Sequence, residues 1–316
     1  MIPDLVDYTT MIEIISALWP VFALLLSGYL AKRLDFPGSA FWPPAERLIY
    51  FVLFPVLLVD RLARADMGQV PFDRVLYAVV LMLAVGSIAC FLLKPWMRLD
   101  NPAFTSFYQG GLRFNTYVGL AATAALYSAA EVAVAAVVIA VMIPLLNVAC
   151  VLVFSVTNPG RLSWRAVFKT LLSNPLILAC TLGLLLNLSG VGLPSMVGAV
   201  TELLSRMALP LGLLAVGAGL SFKVLLQARL PMLVSAGVKL LLLPIIAACV
   251  GYVLQLEPVV LQVLVLFAAL PTAPSAYILA RQLGGDAPAM AAIITGQTLM
   301  SMITLPVVLT IYMNFF

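Results

Sequence analysis

"FAALPTAPSAYILARQ", residues 267–282, sets Pro271 and Pro274 inside an apolar stretch long enough to cross a membrane. A proline in a helix interior removes a backbone N–H and clashes with the preceding turn, at a cost of about 3 kcal/mol. Lipid offers nothing to rebond the freed groups. An interrupted span is tolerated only where it is buried in protein or lines a cavity. The stretch therefore predicts a broken membrane helix whose loose ends face the interior of a bundle.

The rest of the chain sets that helix among others. Of its 316 residues 64% are hydrophobic and 9% charged, against about 25% charged in a soluble domain. Barrel strands would alternate over about ten residues. The apolar runs here last about twice as long without alternating, which predicts an all-α integral membrane protein. Ten spans are expected, at 12–34, 43–63, 74–95, 102–127, 130–155, 167–189, 196–221, 231–254, 258–282 and 288–314. Short connections such as "TNPGRLSW" (157–164) join them.

Charge placement orients the spans. One set of loops holds Lys32, Arg33, Arg47, Lys94, Arg98, Arg161, Arg165, Lys169, Lys223, Arg229 and Arg281; the other holds only Arg61, Arg64, Arg74 and Arg206. Basic residues stay on the cytoplasmic side, so both termini are expected outside. Asp4, Asp7 and Glu13 precede the first basic residue, Lys32. That start does not suit a secretory signal peptide, and the first apolar run is expected to be a retained helix. No Lys/Arg run suits nucleic acid. With no histidine in the chain, and with Cys90, Cys150, Cys180 and Cys249 scattered in apolar segments, neither a zinc site nor another cofactor is expected. The cysteines read as small buried hydrophobes.

Sliding the chain by 156 residues lays "EVAVAAVV" (131–138) on "APAMAAII" (287–294), Pro102 on Pro258 and Thr116 on Thr272. One residue less pairs Gly28 with Gly183 and Pro55 with Pro210. Residues 1–156 and 157–316 thus read as two five-span repeats. An odd span count inverts the second copy relative to the first, a plan common among secondary transporters. The same shift places Asn115 on Pro271 and Gly119 on Ser275, so the fourth span should be broken near mid-depth like the ninth. Pro55 and Pro210 read as kinks.

These motifs resemble a known family. "SGYLAKRL" (27–34), "FPVLL" (54–58), "GLRFNTYVGL" (111–120), "LPTAPSAYILARQLGGD" (270–286) and "QTLMSMITLP" (297–306), in this order and spacing, are similar to those of bacterial auxin efflux carriers, relatives of the plant PIN carriers. The resemblance implies the fold of bile-acid sodium symporters and sodium/proton antiporters, placed in a bacterial cytoplasmic membrane. Helices 1, 2, 6 and 7 would form a scaffold, often dimeric. Helices 3–5 and 8–10 would form an elevator-like transport domain with crossed helices 4 and 9. Substrates implied are small organic anions: malonate, malate and other dicarboxylates, or indole-3-acetate. Asn115 matches the crossover asparagine and Pro271 the second-half proline. Phe114 stands where the plant pattern has its first-half proline, so the first break is expected to be softer, opened by Gly110, Gly111 and Gly119.

Residue chemistry points the same way. A half-helix starting at mid-membrane turns its positive N-terminal end into the cavity, where it attracts anions. Arg113 and Lys239 are the two basic residues placed well inside spans, and all thirteen acids fall near span ends or in loops. A substrate carboxylate is the natural counter-charge for an intramembrane cation. Either side chain can alternatively snorkel to the surface, and Arg113 can cap backbone carbonyls. Asn115, Pro271, Thr272, Pro274 and Ser275 frame the candidate substrate site. The polar members of that set can also just hydrogen-bond a neighbouring helix or freed backbone. Gln297, Asn147 and Thr116 are further candidates with the same alternative. No deep acid or histidine supplies a proton relay, and coupling to sodium, to protons or to the membrane potential alone stays open.

An intramembrane enzyme is disfavoured. "GGD" (284–286) loosely resembles the G-x-G-D of membrane aspartyl proteases, but Asp286 sits at the inner edge without a second deep acid. A channel, or a membrane receptor sensing small carboxylates, is the alternative to a carrier. A channel normally gathers several subunits around repeated polar rings.

Overall fold

The computed structural model describes residues 8–65, 71–157, 172–225 and 228–315. The expected loop 157–164 beyond Thr157, the basic residues Arg161, Arg165 and Lys169, and the start of the sixth span lie outside the described residues, as do Asp4 and Asp7.

Every element among the described residues is helical. In chain order they are α1 (Tyr8–Arg33), α2 (Trp42–Arg64), α3 (Phe72–Met97), α4 (Asn101–Leu112), α5 (Thr116–Leu126) and α6 (Ala129–Thr157). After them come α7 (Pro175–Leu188), α8 (Ser195–Ala218), α9 (Arg229–Val253), α10 (Pro258–Ala269), α11 (Ser275–Leu283) and α12 (Ala287–Phe315). Seven of these helices are long and apolar enough to cross a membrane: α1, α2, α3, α6, α8, α9 and α12. Many large apolar side chains, such as Trp19, Leu92, Trp96, Met196 and Ile303, lie exposed around them. A soluble chain does not leave so much apolar surface in water. The protein is a multi-pass membrane protein.

Helices α4 and α5 are one expected span interrupted at residues 113–115, and α10 and α11 are another interrupted at 270–274. The first break differs from the sequence expectation. Gly110 and Gly111 stay inside α4 and Gly119 inside α5. They serve packing: a Cβ would press on Ile293 from Gly110, on Cys90 from Gly111 and on Leu270 from Gly119. The chain opens instead at Arg113, Phe114 and Asn115, and Asn115 starts α5 as its N-cap in extended backbone (φ −84°, ψ 101°). A capping asparagine restarts a helix without a proline.

Two long helices carry a short π-helical segment, Ile49–Leu53 in α2 and Gly237–Leu242 in α9. Pro55 and Pro244 lie two residues past their ends. The wider turn leaves room where proline removes the regular i→i−4 bond. Pro210, by contrast, lies inside the unbroken α8. Cys90, Cys150 and Cys180 are buried as expected, but Cys249 is exposed on the outer face of α9.

Two helix pairs pack especially closely. The α1 helix packs along α8, and the end of α2 packs on α7. Both pairs close at glycine. A Cβ on Gly28 would overlap the Leu214 carbonyl, one on Gly217 would overlap the Leu25 carbonyl, and one on Gly183 would meet the Val59 backbone at 3.2 Å. Small residues let membrane helices approach this closely. The contacts Gly28–Leu214 and Gly183–Val59 map onto each other at the 155-residue shift. Asp60, buried in α2, adds an ion pair to Arg64 at 2.9 Å and accepts from the Thr201 hydroxyl of α8 at 3.3 Å. The Asn187 amide in α7 caps the end of α2 through the carbonyls of Leu62, Ala63 and Ala65. Overpacking a tight contact costs about 1–3 kcal/mol. Gly28→Ala and Gly217→Ala should each lower the melting temperature in detergent, while Gly237→Ala, which meets open space, should leave it nearly unchanged.

Candidate functional site

Four helix ends meet where the broken helices touch. Helices α4 and α10 finish there with carbonyl ends, and α5 and α11 begin there with amide ends. The Asn115 N–H donates to the Pro271 carbonyl at 2.7 Å. These two residues are related by the 156-residue shift. The Asn115 Oδ1 accepts from the N–H groups of Tyr117 (3.0 Å) and Val118 (3.3 Å), two of the donors a helix start leaves unpaired. Its Nδ2 amide is fully buried without a protein partner. At α11 the N-cap is Pro274, and no side chain caps the first turn.

Arg113 lies in the first break, half-buried. Its guanidinium donates to Asn147 Oδ1 of α6 at 3.2 Å and to the Ser275 hydroxyl at 3.3 Å. Both bonds are long for a charged donor. Among the described residues the ion pairs are Asp60–Arg64 and Glu202–Arg206, neither of which involves Arg113. The side chain faces a cleft of about 40 Å³ lined on its polar side by Tyr50, Thr116, Asn147, Asn174 and Ser275, with no carboxylate in the lining. A cavity of about 290 Å³ lies further along the same seam. It touches Leu57, Arg61 and Leu209 on one wall and Leu120, Ala124 and Tyr127 on the other. Pockets for drug-sized ligands run to about 300–1,000 Å³. The cleft at Arg113 is thus closed down to a few waters, and the wider cavity opens toward the far end of α2 and α5.

Behind the break lies a separate, fully buried polar knot. Gln297 Oε1 accepts from the Thr272 N–H (2.9 Å) and hydroxyl (2.7 Å), and Gln297 Nε2 donates to the Gly110 carbonyl (2.9 Å) and the Ser235 hydroxyl (3.2 Å). Thr272 Oγ1 is also within 2.8 Å of the Gly110 carbonyl. Lys239, on the same helix as Ser235, donates to the carbonyls of Ala268 (2.8 Å) and Phe267 (3.2 Å). It is fully buried and does not snorkel.

The sequence candidates therefore divide. Arg113, Thr116, Asn147 and Ser275 share the cleft. Asn115 and Pro271 join the two breaks beside it, and Pro274 opens α11. Thr272, Gln297 and Lys239 belong to the knot and do not line the cleft. Reading the sequence missed Tyr50, Asn174, Gln109 and Ser235. Asn174 carried a signal, since an asparagine directly before a proline starts a helix, and it caps α7 through Leu176 and Ile177. Gln109 carried none; it is buried one turn before Arg113 with neither amide atom bonded. Asp286, of the aspartyl-protease-like "GGD", is an N-cap that accepts from the Ala289 N–H at 2.9 Å.

Discontinuous membrane helices of this kind recur in secondary transporters, and the comparisons point to membrane transport. Residues 160–309 match the family described as "Membrane transport protein". That match spans just under half of the chain. A curated relative from Methanothermobacter thermautotrophicus, described as an uncharacterized transporter, is 29% identical over 294 residues, covering 90% of this chain and 94% of the relative. The described residues hold no cluster of three or more metal-ligating side chains.

Proposed function

We propose that this protein is a secondary carrier of small organic anions, binding a carboxylate at the cleft in front of the broken helices. One observation carries the reading: Arg113, unpaired by any carboxylate, faces a cleft lined by Thr116 and Ser275 at the starts of α5 and α11. A carboxylate entering there exchanges the two long Arg113 bonds for a bidentate fork. It also meets the amide ends of α5 and α11. Asn115 Nδ2, costly when buried unbonded, gains an acceptor.

Transport then follows by alternating access. Ten spans, counted by joining α4 with α5 and α10 with α11, form two inverted repeats of residues 1–156 and 157–316. Support comes from the self-mapping contacts Gly28–Leu214 and Gly183–Val59, and from the Asn115–Pro271 bond. Helices α1, α2, α7 and α8 pair by close glycine contacts and form a scaffold through which two copies dimerise. Helices α3–α6 and α9–α12 move as an elevator against it, opening the seam at one end and then the other. The two unequal cavities along that seam support this motion. Lys32, Arg33, Arg47, Lys94, Arg98, Lys223, Arg229 and Arg281 gather at the same helix ends, which supports a bacterial cytoplasmic membrane with both termini outside.

Malonate- and malate-like dicarboxylates and indole acids are the substrates to try first. Purified protein screened by thermal shift against mono- and dicarboxylates should be stabilised by at least one of them. That solute should then show saturable, counterflow-stimulated uptake in liposomes. Linear, non-saturating flux would indicate a channel instead.

A further inference from the structure

The two halves finish their broken helices differently. At the end of α4 the Gly110 carbonyl is met by a neutral donor, the Gln297 amide. At the end of α10 the carbonyls of Phe267 and Ala268 are met by a cation, Lys239. A helix C-terminus carries a partial negative charge and four unpaired carbonyls. In membrane carriers such half-helix ends and unwound carbonyls are where a coupling sodium ion is held.

We infer that Lys239 is a built-in cation standing in the place of a coupling sodium ion at the carbonyl end of α10. Three features converge on this. The ammonium is fully buried, yet the acceptors it meets are main-chain carbonyls of that helix end. An intramembrane cation needs a counter-charge, and the helix end supplies it. The side chain leaves α9 from the π-helical segment Gly237–Leu242, and such bulges cluster at functional sites. Finally, the position has no charged counterpart in the first half. The 156-residue shift lays Lys239 on the buried Leu83 of α3, so the charge answers to α10 alone and is not part of the shared repeat.

The inference rests on the carrier reading for its consequence: anion transport should not require sodium. Its physical core can be tested without transport. Wild-type protein should melt at the same temperature in sodium, potassium and choline chloride of equal ionic strength. Lys239→Ala removes the ammonium and opens a space beside two carbonyls. It should melt lower in choline and regain about 3 °C or more in sodium chloride. Lys239→Met fills the space without charge, and should melt lower with no sodium rescue. In liposomes, wild-type malonate counterflow should be equal in sodium and choline, and sodium should partly restore it in Lys239→Ala.

Selective stabilisation of the wild type by sodium, or several-fold sodium stimulation of its transport, overturns the inference. So does a folded Lys239→Ala protein indifferent to sodium. If Lys239→Ala does not fold, the wild-type comparison still decides. Absence of flux of malonate and of every other carboxylate in the screen, in every salt, counts against the carrier reading, and the melting comparison is unaffected by it.

Discussion

Arg113→Gln is expected to cut carboxylate uptake on the order of 100-fold while the protein remains folded. Removing one partner of a desolvated charge pair costs about 2–5 kcal/mol, of which about 2.7 is a factor of 100. Glutamine keeps most of the side chain's length and can still bond Asn147 or Ser275, so the helices α6 and α11 that Arg113 joins should stay in place. Arg113→Lys should retain part of the activity, because a lysine keeps the charge but loses the two-pronged match to a carboxylate. Initial uptake rates in liposomes, normalised to protein eluting as a single species, measure all three proteins. Equal rates in wild type and Arg113→Gln would mean that the guanidinium is a structural tie between helices and not a ligand.

Asn115 offers a sharper separation of structure from binding, because its two amide atoms do different work. Oδ1 caps α5, and Nδ2 is the spare buried donor. Asn115→Asp keeps an acceptor for the cap, since aspartate is as good an N-cap as asparagine. It also puts a negative charge where the carboxylate should sit. Uptake should vanish with little change in melting temperature. Asn115→Ala loses both atoms. The missing cap alone costs about 0.5–2 kcal/mol, so it should lose both transport and some stability. A transport-competent Asn115→Asp would show that the amide does not face the solute.

Much of this arrangement was legible because membrane physics narrows the choices. The apolar runs, Pro271 and Pro274, and the repeat-matched Asn115 located both breaks to within a few residues. The second-half break was readable from proline chemistry. In the first half Phe114 replaces the proline, and the neighbouring glycines invited the wrong cause. They turned out to be contact points for Ile293, Cys90 and Leu270, which is a property of neighbours distant in the chain. The same limit explains the candidate site. Arg113, Asn147 and Ser275 stand out singly in the sequence as polar residues at depth, and their meeting depends on how three helices pack. Lys239 stands out for its charge. That it turns toward the carbonyls of α10, away from the cleft, follows from a π-helical turn and from the end of another helix, neither of which local sequence displays. Tyr50 and Asn174 reach the cleft because α2 and α7 border the seam, information carried only by the assembled bundle.

The most direct test of an anion pocket at the broken helices is a thermal-shift titration. Mono- and dicarboxylates are added to purified wild type and to Asn115→Asp at matched ionic strength. At least one carboxylate should raise the wild-type melting temperature in a saturable manner and leave Asn115→Asp unmoved. A carboxylate that stabilises both proteins equally would place anion binding elsewhere.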